Sequence, residues 1–299
     1  MITSERLGFF STMQLIWKDA LILFILDVVV TYAYVVMGWT WIAPDQMPLP
    51  LIGAGLAVIV GLRNNTAYAR WWEARTLWGS VVNYSRSLVR ANATLMPEDE
   101  AEDLRISIGI RQIAWVHALR AHLRREDPWP DLDRLLPQED LNYLHTVDNI
   151  PFALHMEIAS EINQAQARGY LDTIEVSSIN RIMNELSNAQ GGAERIRNTP
   201  MPRQYTLFPR LFVGVYCTML PFGIVSHMMW ATPLGSTIVG LLFLALEASG
   251  RQLEDPFNRS VHDVPMTAIT HTIEVDLRQA LNVIDQLPRP LKPIHGVVD

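Results

Sequence analysis

The chain has 299 residues, with 24 Lys and Arg against 31 Asp and Glu and a formal charge of -7. That balance excludes a dedicated nucleic-acid binder, which carries a basic excess or stripe. The single cysteine, Cys217, excludes an intramolecular disulfide framework and any multi-cysteine zinc site.

In chain order, the first apolar stretch is residues 20–38, a run of about 19 residues. It is followed by Trp39, Thr40 and Trp41 where a signal peptide would place small residues for cleavage. It reads as a retained membrane span, with Asp27 as an unusual charge inside it. The second stretch, 49–62, is short for a hydrocarbon layer of roughly 30 Å. It suffices only if the helix runs on through "RNNTAYARWWEARTLWG", where Asn64, Asn65, Arg70, Glu73 and Arg75 need partners or water. Ala54, Val58 and Leu62 are spaced four apart and share one helix face. Gly53, Ala57 and Gly61 form an adjacent small stripe that admits a close helix neighbour.

Residues 80–200 are soluble in composition and helical in pattern. "PEDEAED" reads as a helix start, after which Leu104, Ile108, Ile113, Val116 and Leu123 recur at near-helical intervals, with acids early and bases late. "PWPDLDRLLP" reads as a turn-rich connector. "GYLDTIEVSSINRIMNELSNAQGGAERI" reads as another long helix, with Gly191–Gly192 as the place for a bend. Stretches 211–230 and 231–249 form a second apolar pair, parted near Pro233 and Gly235. The tail after Gln286 is Pro-rich and reads as extended along a surface. No strand-like alternation and no long-period repeat occurs, so the fold class is all-α: a multi-pass membrane protein with four spans in two hairpins. Four buried core helices of a soluble protein are the competing reading.

Loop charge orients the spans. "WTWIAPDQMPLP" and the turn before Pro233 contain no Lys or Arg. The opposite ends carry Arg6, Lys18, Arg63, Arg70, Arg75, Arg195, Arg197, Arg203, Arg210 and Arg251. By the positive-inside rule both termini and the middle of the chain are cytoplasmic, and Trp39, Trp41 and Trp230 fall at an outer aromatic belt.

There is no phosphate-binding Gly loop, HExxH, CxxC or GxSxG, so no enzyme, cofactor or metal is expected. His117 and His122 are five apart, on different helix faces, and read as solvated or interfacial. His145, His155, His262, His271 and His295 are scattered, His227 reads as interfacial, and Cys217 as a small packing residue. Polar groups inside a span are costly and face a bundle interior or water. Asp27 therefore meets a neighbouring helix or water, while Glu247 either does so or reaches water at the inner border.

"LRNNTAYARWWEARTLWG" with "YSRSLVR" after it, "AERIRNTPMPRQYTL" and "QLEDPFN" together resemble the bacterial branch of the bestrophin family, over roughly residues 5–285. The motif residues are Arg63, Asn64, Asn65, Arg70, Trp71, Trp72, Glu73, Glu194, Pro200, Pro202, Asp255 and Pro256. The resemblance implies a homopentameric ion channel of the bacterial inner membrane, in contact with lipid, with its pore on the five-fold axis. It places a hydrophobic neck at Ala54, Val58 and Leu62, and a cytoplasmic aperture at Ile174 or, one residue on, Glu175. Animal members have bulkier neck rings, so Ala54 and Val58 widen the neck or leave the gate to Leu62. Animal members also bind calcium through a run of acids that "DPFNRSVHD" lacks, so no regulatory calcium site is expected. The resemblance to the bacterial branch, the outer-loop Asp45 and the net acidity favour permeant monovalent cations. An anion channel of the same architecture and a non-conducting scaffold are the alternatives. The expected division is 1–79 for the N-terminal segment and first hairpin, 80–203 for the cytoplasmic helices, 204–250 for the second hairpin and 251–299 for the C-terminal segment.

Overall fold

The computed structural model describes residues 6–44, 46–260 and 262–291. Asp45, His295, the end of the Pro-rich tail and the Arg6 side chain lie outside what is described. Among the described residues every regular element is helical. The α-helices are α1 (Arg6–Val35), α2 (Leu49–Leu95), α3 (Glu102–Arg124), α4 (Trp129–Leu132), α5 (Gln138–Leu144), α6 (Ile150–Ala167), α7 (Thr173–Asn198), α8 (Arg203–Met228), α9 (Thr232–Leu253) and α10 (Met266–Ala280).

One bundle is made by α1, α8, α9 and the first part of α2, with α1 lying on α9 and α8, and α2 on both. Its small interior holds Leu49, Leu56, Val60, Val213, Tyr216 and Leu220. Its outside is apolar too: Leu21, Ile25 and Val29 on α1, and Leu234, Ile238 and Leu242 on α9, are exposed. The stretch Arg203–Leu253 is apolar and long enough to cross a membrane, and most of its most apolar window is unburied.

The break between α8 and α9 is a single 3-10 turn at Met229–Ala231, with Met229 at φ 46°. The expected breakers, Pro233 and Gly235, lie inside α9. Pro233 sits in the first turn, where its missing N–H costs no helical hydrogen bond, and a Cβ on Gly235 would collide with the Met228 side chain. Helix α8 likewise continues through Pro209 and Pro221.

Helix α2 runs for 47 residues, about 70 Å at about 1.5 Å per residue, and passes through residue 79 without interruption. Its second half joins α3, α6, α7 and α10 around a larger core that includes Trp78, Leu88, Ile108, Trp115, Ile158 and Phe257. Helix α3 is bounded as its charges predict, with Glu102 and Asp103 in the first turn and His122 and Arg124 in the last. Its five periodic apolar residues are buried. Helix α6 is capped by Asn149, whose Oδ1 accepts from Phe152 N at 3.0 Å.

Helix α7 opens on a capping box: Asp172 Oδ1 accepts from Glu175 N at 2.7 Å, and Glu175 Oε2 from Asp172 N at 2.8 Å. It stays helical through Gly191 and Gly192. The second glycine serves close packing, since a Cβ there would stand 2.9 Å from a Leu77 methyl of α2. The connector "PWPDLDRLLP" is no mere turn, because it contains α4 and sends Leu132, Leu135 and Leu136 into the core.

Candidate functional site

Helix α2 has two faces. Leu49, Gly53, Leu56, Val60, Arg63 and Ala67 are buried against the rest of the chain. Ala54, Val58 and Leu62 are exposed, Val58 at 61% and Leu62 at 63%. At about 100° per residue the two sets lie on opposite sides of the helix. This apolar row is turned away from its own chain at bundle depth, and nothing among the described residues covers it. The small stripe beside it is divided. A Cβ on Gly53 would come within 2.6 Å of the Tyr216 hydroxyl, whereas Gly61 has open space, so Gly53 admits a side chain of α8 and not a backbone.

Directly after Leu62 the buried face becomes polar, and its side chains find partners from distant sequence, with Arg63 Nε and Asn64 Oδ1 left without a hydrogen bond among the described residues. Arg63, 2% exposed, donates to Glu247 O at 2.9 Å and to Glu254 Oε2 at 3.1 Å. Asn64 Nδ2 donates to Leu246 O at 2.8 Å. Arg70 donates through Nε to Glu254 O at 2.9 Å and also to Ile196 O. Glu73 pairs with Arg195 at 2.5 Å, and Arg197 with Asp255 at 2.7 Å. Trp71 Nε1 donates to His262 O at 2.8 Å, while Trp72 is 55% exposed and Trp78 1%. The three motif stretches therefore meet in one knot at the base of the bundle. A buried guanidinium is tolerable only when paired and hydrogen-bonded, and Glu254, just past α9, meets that demand together with carbonyls of α7 and α9.

The remaining predicted residues are distributed around this knot. Glu194 accepts from Gln190 Nε2 at 2.7 Å and from Asn149 Nδ2 at 3.3 Å. Pro200 and Pro202 are exposed in the link to α8, which Pro202 caps. Pro256 is buried and its carbonyl accepts from Val264 N at 3.0 Å. Asn65 is exposed. Ile174, 80% exposed, lies in the first turn of α7.

Asp27 is fully buried and meets a neighbouring helix, accepting from Ser236 Oγ at 2.9 Å and Thr237 Oγ1 at 2.8 Å on α9. Glu247 does not reach water: its side chain is 6% exposed, 3.9 Å from Arg251. Cys217 is buried beside Gly240.

Sequence reading passed over two acids. Glu254, one residue before the predicted Asp255, receives Arg63, Arg70 and, through Oε1, the Thr206 hydroxyl. Its place inside "QLEDPFN" was the available signal, but two adjacent acids gave no ground for choosing between them. Glu274 on α10 accepts from Arg134 at 2.6 and 2.7 Å, pairs with His117 Nε2 at 2.8 Å, and accepts from Arg278 Nε at 2.9 Å. His117 is thus a buried residue, not a solvated one, held between Glu274 and Asp131. Burial would raise both carboxyl pKa values. Hydrogen bonds from Arg134 and His117 outweigh it at Glu274 and hold that carboxyl well below the ordinary range. His117, Arg120 and Arg134 bring Asp131 down to about 2. Burial pushes Asp263 up to about 6 against hydrogen bonds from Ser260, and lowers His155 to about 4.

The model of the family described as Bacterial/Fungal Bestrophin protein matches residues 9–279. A protein of Ralstonia nicotianae named voltage-dependent anion channel-forming protein is 37% identical over 235 residues, 78% of this chain and 76% of its own. An Escherichia coli protein of the same description is 36% identical over 249 residues, 82% and 80% of the two chains. The crystal structure of a bacterial bestrophin homologue from Klebsiella pneumoniae superposes with a TM-score of 0.84 at 31% identity, over 89% of this chain and 98% of that one. With the family model spanning nearly the whole chain and the fold matching along the same length, the chain belongs to the bestrophin family, in its bacterial and fungal branch.

Proposed function

We propose that this membrane protein is a homopentameric ion channel of the bacterial inner membrane. In this reading α1, α8, α9 and the first part of α2 cross the bilayer, both termini are cytoplasmic, and five copies of α2 line a central pore. The observation that carries it is the exposed row Ala54, Val58 and Leu62, opposite the buried face of the same helix. Five such rows around an axis make a narrow apolar neck, which opposes ion passage by dewetting. Leu62 is the bulkiest of the three and the main barrier. At the cytoplasmic end, the Glu175 carboxylate is folded back onto Asp172 N while Ile174 projects outward, which favours Ile174 as the aperture residue.

The expectation of cation permeation gives way to the anion alternative. The relatives are named as anion channel-forming proteins, and the cation argument leaned on the resemblance to the bacterial branch, on Asp45 and on the charge of the whole chain. The exposed row of α2 beyond the neck carries Asn65, Thr76, Asn83 and Arg90, and the carboxylate beside it, Glu73, is paired with Arg195, which also suits anions. Purified protein in liposomes is expected to pass ions passively, and Leu62→Ala to raise the flux. An unchanged flux would remove Leu62 as the gate, and absence of any flux would favour the scaffold. In asymmetric salt, reversal at the chloride potential supports the anion reading and reversal at the cation potential overturns it.

A further inference from the structure

Asn64 and Asn65 are adjacent and chemically identical, and the fold uses them in opposite ways. Asn64 turns inward, its Nδ2 bound to Leu246 O at 2.8 Å and its Oδ1 against Gly250. Asn65 is exposed, and among the described residues its carboxamide has no hydrogen-bond partner. It follows Leu62 by three residues, so it lies on the same side of α2, roughly 60° around and one turn further in. The other polar groups of that turn are engaged elsewhere. Thr66 Oγ1 donates back to Leu62 O at 3.0 Å, and Arg63 is committed to Glu247 O and Glu254. Asn65 is therefore the first unengaged hydrogen-bonding side chain next to the apolar row.

We propose that Asn65 is a specificity-determining residue of the channel: five carboxamides form a ring at the inner mouth of the neck and rehydrate the ion that leaves it. This inference rests on the pore-lining reading of α2. An ion that has shed water at Leu62 regains ligands from the amides, N–H donors for an anion or C=O acceptors for a cation. A neutral ring lowers the exit barrier without the deep trap that a ring of like charges would set for a counter-ion. The same neutrality means that charge at this position has strong leverage on selectivity.

The test uses the full-length protein in planar bilayers, with Leu62→Ala recorded alongside. Asn65→Leu keeps the side-chain shape but removes the hydrogen bonds, and is expected to lower single-channel conductance about five-fold, the rate equivalent of one lost neutral hydrogen bond. Asn65→Asp is expected to move the reversal potential towards the cation potential. Should the leucine variant not assemble, Asn65→Ala gives the same comparison. If Leu62→Ala raises flux while the Asn65 variants match the wild type in conductance and reversal potential, the inference falls and the pore reading stands. If Leu62→Ala is also without effect, both fall.

Discussion

His155 gives a sharp physical test of the cytoplasmic core. The residue is 5% exposed, and its ring stacks on Trp115 with centroids 4.5 Å apart and planes 4° from parallel. Burial lowers its pKa from 6.5 to about 4, so the folded chain holds a neutral imidazole. Between those two values the unfolded chain binds a proton that the folded chain refuses. Stability therefore declines as pH falls through that window and the loss levels off below about pH 4. A displacement from 6.5 to about 4 is worth about 3 kcal/mol at its limit. Other groups titrate nearby, and Asp263, raised to about 6, acts with the opposite sign, its contribution being lost as pH rises through 6. The informative quantity is thus a difference. His155→Phe keeps a flat ring on Trp115 and cannot titrate, and gives up only a 3.4 Å contact with Ser187 Oγ. Urea unfolding of the full-length protein in detergent, followed by circular dichroism from pH 7.5 to 4, should show the wild type losing about 3 kcal/mol more than the variant. Parallel pH profiles would refute the buried neutral histidine.

Two further outcomes follow from the same packing. Glu274→Gln removes a carboxylate shared by Arg134, His117 and Arg278. It should cost about 3 kcal/mol, as expected for breaking a buried ion pair, and free α10 to early proteolysis, and a loss below about 1 kcal/mol would show that the cluster is solvated. Gly250→Ala places a methyl 1.8 Å from Asn64 Oδ1 and 2.5 Å from an Arg63 nitrogen. It should abolish the assembled species in size-exclusion chromatography, with partial recovery in the Gly250→Ala/Asn64→Ala double variant, and normal elution of the single variant would mean that α2 and α9 are not held this closely.

Helix class and the charge limits of α3 were legible because both are local. Periodicity decides which residues share a face, and the ends of a helix attract charge of known sign. The run of α2 beyond Leu62 was legible for a similar reason, since an apolar stretch too short to span must continue. The connector at 128–137 was misread because proline and aspartate mark turns, whereas Leu132, Leu135 and Leu136 find a core supplied by distant helices. His117 was misread because five-residue spacing speaks only of its own helix, and its partners lie on α4 and α10.

At the candidate site the sequence by itself determined the row Ala54, Val58 and Leu62, and the polarity that begins at Arg63, because a single helix imposes both. Only the tertiary structure decided which side of α2 is covered. It did so by placing Glu254, Ile196 O and Glu247 O around Arg63 and Arg70, across separations that no local pattern encodes. The buried Arg63 and half-buried Arg70 demand partners. By fixing one face of α2 inward, they leave the apolar row and Asn65 facing outward.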